Sequence, residues 1–162
     1  MKTFNQIAEF GKKLMAMEEM DNVLELIADE AKSLVNAQRC SIFIVDKEDK
    51  ILWTKVSDGI GRIVIGLDSG IVGVTYETKE PQIVNNPYDD ERFLSYIDKK
   101  SGYTTKNMIT VPIFDSKRNV MGVVQLLNKK HSDFDDADLE LLTFFANYVS
   151  GSLELAILSE KN

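Results

Sequence analysis

A single cysteine, a single histidine and only three prolines are spread through the 162 residues. One cysteine excludes an intrachain disulfide and every zinc or iron–sulfur arrangement that draws on several thiols. With Cys40 and His131 each alone, the usual set of three or four nitrogen and sulfur metal ligands cannot be assembled, and the sequence requires no cofactor. The stretch "DKEDK" from Asp46 lacks the spaced oxygen ligands, the central glycine and the closing glutamate of a calcium loop. No apolar run approaches the ~18 residues that a membrane-spanning helix needs. The first residues also lack the basic-then-apolar order of a signal peptide. A cytoplasmic protein with no membrane partner is therefore expected. Basic residues are scarce as well: 19 Lys and Arg stand against 26 Asp and Glu, a formal net charge of -7. No basic cluster is present to neutralise phosphates, so no nucleic acid is expected as a partner. A small anion is not excluded, because it responds to local amides and dipoles more than to total charge.

What is present is ordinary globular material. Hydrophobic residues make up 44% and charged residues 28%, values that suggest neither a disordered chain nor a membrane protein. The length suits one domain over residues 1–162, with a core at about 21–155. Phe4, Ile7, Ala8, Gly11, Leu14 and Met15 fall at helical spacing, predicting a helix over residues 3–19. Asp21 is placed to cap a second helix whose apolar stripe is Val23, Leu24, Ile27, Ala28, Ala31, Leu34 and Val35.

Strand signals follow at once: "CSIFIVD" and "ILWTKV", separated by a polar turn, read as a hairpin. A third strand is predicted over 62–65, a short helix within "GLDSGIVGVTYETKEP", and a short strand at "QIVNN". The polar connection over 87–107 is long enough to be a lid or binding loop. "MITVPIF" and "VMGVVQLLN" form a second hairpin, and a last helix spans 136–159. Short turns between strands imply a mainly antiparallel sheet in an α+β fold. The last helix carries two apolar stripes, Leu139-Leu142-Ala146-Val149-Leu153 and Leu141-Phe145-Tyr148-Leu155. One domain face needs only one stripe, so a homodimer through the terminal helices is expected, with contacts from Phe4, Ile7, Leu14, Leu153 and Ile157.

"RCSIFIVD", "SGIVGVTYETKEPQIVNN", "DERF", "IDKKSGYTTKNMITVPI" and "GVVQLLNKK" with "FDDADLELL" occur in that order. Together they resemble a GAF domain, of the cyclic-nucleotide-binding kind found in mammalian phosphodiesterases and some bacterial cyclases. The resemblance implies an antiparallel sheet, terminal helices on one face, and short helices and lid loops over a ligand pocket on the other. It also implies an attached effector in a longer protein. The family's Asn-Lys, Phe and Asp motif falls here on Asn128, Lys129, Phe134 and Asp138, while Leu139 stands at the motif's Glu place. In the family the Lys and Asp form an ion pair that ties the last strand to the last helix. A local reading stands beside it, in which Asp135 is the N-cap and Asp138 the N3 residue of a capping box.

A cyclic nucleotide, cyclic AMP or cyclic GMP, is the ligand that the resemblance implies. Residues 69–73, Ser-Gly-Ile-Val-Gly, open a short helix whose first amides, at Ile71 and Val72, can receive a phosphate without a basic residue. Gly70 and Gly73 equally suit a tight turn and close packing. By resemblance, Ser41, Asp58 and Gln125 face the base, and Asp98, Ser101 and Thr105 face the ribose and cyclic phosphate. Gln125 on an alternating strand and Asp58 before Gly59 also fit plain structural roles. Ser57 and Leu94 occupy places where relatives often carry aromatics. A connector that binds another metabolite, or none, remains the alternative. Catalysis is not expected: reduction of free methionine sulfoxide, known among small GAF proteins, needs a nucleophilic and a resolving cysteine, and Cys40 has no second.

Overall fold

Two helices begin the chain in the computed structural model, which describes residues 2–16, 19–57 and 62–161. They are α1 (Lys2–Met15) and α2 (Met20–Val35). Then come strands β1 (Ala37–Asp46), β2 (Ile51–Ser57) and β3 (Val64–Gly66), helix α3 (Gly70–Thr78) and strand β4 (Gln82–Val84). A 3-10 turn (Pro87–Asp89) and helix α4 (Ser95–Ser101) lead to β5 (Met108–Phe114), β6 (Val120–Lys129) and the long α5 (Asp136–Lys161). The six strands form one sheet in the order β3-β2-β1-β6-β5-β4. Every neighbouring pair is antiparallel, as tight turns between consecutive strands require.

The period-two alternation of β1, β5 and β6 sorts side chains to two faces. Ile42, Ile44, Val111, Ile113, Val124 and Leu126 point to one face and pack against α2 and α5 in the main core, which α1 joins through those two helices. Phe43, Val123, Met108 and Leu127 belong to smaller clusters with Ile71 and Val72 of α3 on the other face. The terminal helices therefore cover one side of the sheet, while α3 and the 87–107 connection cover the other. That second side carries the site.

Several boundaries and faces differ from the sequence expectation. Asp21 lies inside the first turn of α2, and Glu19 occupies the cap position without a side-chain hydrogen bond. In α1 the buried stripe is Ile7, Phe10, Gly11 and Leu14, whereas Ala8 is exposed and Phe4 and Met15 are 57% and 84% exposed. Phe10, three residues after Ile7, takes the place on that stripe that the sequence reading gave to Ala8. Gly11 is buried beneath Tyr148 of α5, whose hydroxyl would lie 2.1 Å from a Cβ at that position. In α5, Phe145 joins Leu142, Ala146, Val149 and Leu153 in the main core instead of a second stripe. What remains outside is Phe144, Tyr148, Leu155 and Leu158. Ile7, Leu14 and Leu153 are at most 3% exposed within this chain, so they are not available to a second copy. α5 is also long and apolar enough to span a membrane by length and composition, against the reading of the sequence. Leu142, Phe145, Ala146, Val149 and Leu153 of that helix are packed in the main core, and a third of the apolar stretch is buried in all.

Candidate functional site

The loop after β3 and the 87–107 connection fold back over the sheet and enclose a cavity. Its floor is Phe43, Gln125, Leu127 and Met108; its walls are Gly70, Ile71 and Val72 at the start of α3; its cover is Phe93, Leu94, Ile97, Asp98 and Thr105. The free space inside is about 40 Å³, well below the ~300–1,000 Å³ of ordinary ligand sites, because the cover's own apolar side chains fill it. Gly70 has φ +70, and a Cβ there would lie 3.0 Å from the Leu94 side chain. Glycine thus supplies both the left-handed turn and the close approach of lid to helix.

Asp98 is the single charged residue among those lining the cavity and is 6% exposed. Its Oδ1 accepts the Thr105 hydroxyl at 2.9 Å and its Oδ2 accepts the Thr105 amide at 2.8 Å. The Tyr88 hydroxyl donates to the same Oδ2. Tyr88 is 53% exposed and packs edge-on against Phe93 of the cover. The hydrogen bond to Asp98, with burial and the carboxylate charge behind it, raises the Tyr88 phenol above its ordinary value. A raised acid contributes stability that is present below its unfolded value and lost as pH rises through the folded one, so this latch weakens at alkaline pH. Tyr88→Phe is expected to remove one late-titrating tyrosine from an absorbance titration and to speed amide exchange across residues 93–105 several-fold. Unchanged exchange would show that Tyr88 does not hold the lid.

The lid's far end is fastened to the sheet by side chains of β6. Asn128 has φ 60, a left-handed conformation that asparagine tolerates better than most residues. Its Oδ1 accepts the Lys106 amide at 2.6 Å, and its Nδ2 donates to the Thr104 carbonyl and the Tyr103 hydroxyl. Burial pushes the Tyr103 phenol up, while the Arg39 guanidinium 3.7 Å from its ring centre and the Asn128 hydrogen bond oppose that. Asn107 answers from the lid side: its Oδ1 accepts the Lys129 amide and its carbonyl accepts the Asn128 amide, both at 2.9 Å. Next along β6, Lys129 Nζ lies 2.5 Å from Asp138 Oδ2 on α5. The capping box forms as well. Asp138 N donates to Asp135 Oδ1 at 2.9 Å and Asp135 N to Asp138 Oδ2 at 3.0 Å, and the first of these holds the Asp135 carboxyl below the usual range. Phe134 is buried, and its backbone exchanges two 3.1 Å hydrogen bonds with the Asn85 side chain.

Of the residues that the resemblance assigned to a ligand, Ile71, Val72, Asp98, Thr105 and Gln125 come together around the cavity. Ser41 is 3% exposed and pairs with Gln125 across β1 and β6, but it does not line the free space. Ser101 is exposed; its hydroxyl bonds the Asp98 carbonyl and accepts the Tyr103 amide at the end of α4, so it faces away from the cavity. Asp58 lies outside the described residues, as does the side chain of Ser57. Sequence reasoning missed Tyr88, Asn85 and Tyr103, which hold the lid or its anchor. They sit in polar stretches where nothing in the local pattern marks one residue over its neighbours. Cys40 is fully buried with the helix-facing core, on the opposite side of the sheet from the cavity.

Comparison with known proteins agrees with this architecture. The family pattern described as "GAF domain" matches residues 19–153. A probable 3',5'-cyclic phosphodiesterase, pde-5, of Caenorhabditis elegans is 33% identical over 88% of this chain and 21% of its own length. A dual 3',5'-cyclic-AMP and -GMP phosphodiesterase 11 of Drosophila melanogaster is 30% identical over 96% of this chain and 12% of its own. The chain thus spans about a fifth or less of these curated relatives. Among solved structures, the GAF domain of an Acinetobacter phosphoenolpyruvate-protein phosphotransferase superposes with a TM-score of 0.83 at 20% identity, covering 100% and 99% of the two chains. A free methionine-R-sulfoxide reductase of Neisseria meningitidis gives 0.80 at 15% identity, covering 94% and 89%. At those identities the likeness is one of fold. With the helix-covered antiparallel sheet, the lidded cavity and a match over most of its length, the chain belongs to the GAF domain family.

Proposed function

We propose that this chain is a cytoplasmic regulatory module that takes a cyclic nucleotide, cyclic AMP or cyclic GMP, beneath the lid and controls an effector attached in a longer protein. The observation that carries the reading is the convergence of Ile71, Val72, Asp98, Thr105 and Gln125 on one cavity. The names of the phosphodiesterase relatives supply the ligand class. The first intrahelical donor of α3 is Gly73, which bonds the Ser69 carbonyl. The amides before it form the positive end of the helix and suit a phosphate. Gln125 both donates and accepts, which suits a base edge.

Entry requires Leu94 and Ile97 to withdraw, since their side chains fill the interior. Their movement is passed through Thr104, Lys106 and Asn107 to Asn128, and from the adjoining Lys129 through its ion pair to α5. The outgoing helix thereby reports on the lid. Pairing of two copies through the exposed Phe4, Phe144, Tyr148 and Leu155 belongs to the same reading. A second reading, a connector that binds another metabolite or nothing, is favoured by the small free volume alone.

Titration calorimetry of nucleotide-free protein with cyclic AMP and cyclic GMP in parallel tests it. Binding at micromolar strength or tighter, about -8 kcal/mol, is expected for one of the two. Absence of heat with both leaves the connector.

A further inference from the structure

A second and larger concavity lies on the helix-covered side, at the end of the sheet where the β1–β2 and β5–β6 turns meet the C-terminal end of α5. Its volume is about 590 Å³. The floor is apolar: Met20, Ile44, Trp53, Met121, Ile157 and Leu158. The rim is acidic, with Asp46, Glu48, Asp115, Glu154 and Glu160, and Lys47 is the one basic residue among those lining it. Three of these carboxylates are fixed in place as acceptors: Asp46 from the Asp49 amide, Asp115 from the Asn119 amide, and Glu154 from Ser116. The Arg62 guanidinium lies 4.9 Å from the centre of the Trp53 ring and offsets part of the charge. We propose that this groove docks a basic amphipathic helix of a protein partner.

Three features select that occupant. The space matches a few anchoring side chains spaced along one helical face, the pattern of helix-in-groove recognition. Two methionines in the floor let it adapt to those anchors. The charge is complementary to lysine and arginine flanking the anchors. The same field repels nucleic acid and anionic lipid. Nothing in this argument depends on the cavity beneath the lid.

Trp53 is the chain's only tryptophan, so its emission reports the groove directly. The probe is a short amphipathic helical peptide of leucine and lysine, compared with a peptide of the same leucine pattern carrying glutamate in place of lysine. The lysine peptide is expected to shift Trp53 emission saturably, with binding that weakens as salt is raised. The glutamate peptide is expected to have at least tenfold less effect. Glu48→Lys, at an exposed position, is expected to weaken the lysine peptide several-fold while the protein melts as before. Equal binding of the two peptides, no shift with either, or full binding by the Glu48→Lys variant overturns the proposal. So does an emission change that follows protein concentration without peptide, which would assign the groove to a second copy.

Discussion

Lys129→Met is expected to lower the free energy of unfolding by about 3–5 kcal/mol, because it strands the Asp138 carboxylate in a place that water barely reaches. The two side chains are 14% and 11% exposed, and Nζ lies 2.5 Å from Oδ2. Without the ammonium, Asp138 Oδ2 keeps only the Asp135 amide. In a chain of this length such a loss lowers Tm by on the order of 10 °C. Chemical denaturation at neutral pH gives the number, and Lys129→Met with Asp138→Asn should recover part of it, since the second change removes the uncompensated charge. A single-variant loss below about 1 kcal/mol would place the pair with exposed ion pairs and would remove the physical link proposed between lid and α5.

Asp98→Ala carries the second large effect. Three donors, the Thr105 amide, the Thr105 hydroxyl and the Tyr88 hydroxyl, lose their common acceptor, and leaving buried donors unmatched costs about 1–3 kcal/mol. The loss is local to the lid, so amide exchange should rise across residues 93–107 while the main core stays protected. Cyclic-nucleotide affinity is expected to fall at least tenfold, through the disordered cover and the lost acceptor together. If exchange rises and affinity is unchanged, the ligand does not sit beneath this lid. If neither changes, Asp98 has no part in holding it.

The sheet and its helices were legible in the sequence because each signal was repeated over many residues. The apolar runs of β1 and β6 are buried on both faces of the sheet, and the stripe of α2 places its burial almost residue by residue. The two terminal helices were harder, since apolar residues on both of their sides make more than one stripe plausible, and only packing chose Phe10 and Phe145. At the site, the Lys129–Asp138 pair was implied by the family motif, and the capping box by the spacing of Asp135 and Asp138. The Tyr88 contact with Asp98 and the Asn85 contact with Phe134 were not. They join segments whose approach is set by the lid's path, and hydrogen bonds between irregular segments leave no periodic trace. Ser101 was assigned by resemblance, and its exposure here depends on the rotation of a short helix that its neighbours do not encode.

The two middle strands of the sheet, β1 and β6, are supplied by the first and last thirds of the chain. A ribosome has released α2 and β1 long before β6 and α5 exist to cover them. The apolar stripe of α2 and the helix-facing side of β1 must therefore wait, with their edges open, until nearly the whole chain has emerged. Such distant closure slows folding and lengthens exposure to aggregation. Truncation before β6 should accordingly give an insoluble product instead of a smaller stable unit, and the core of this domain can close only once β6 and α5 are complete.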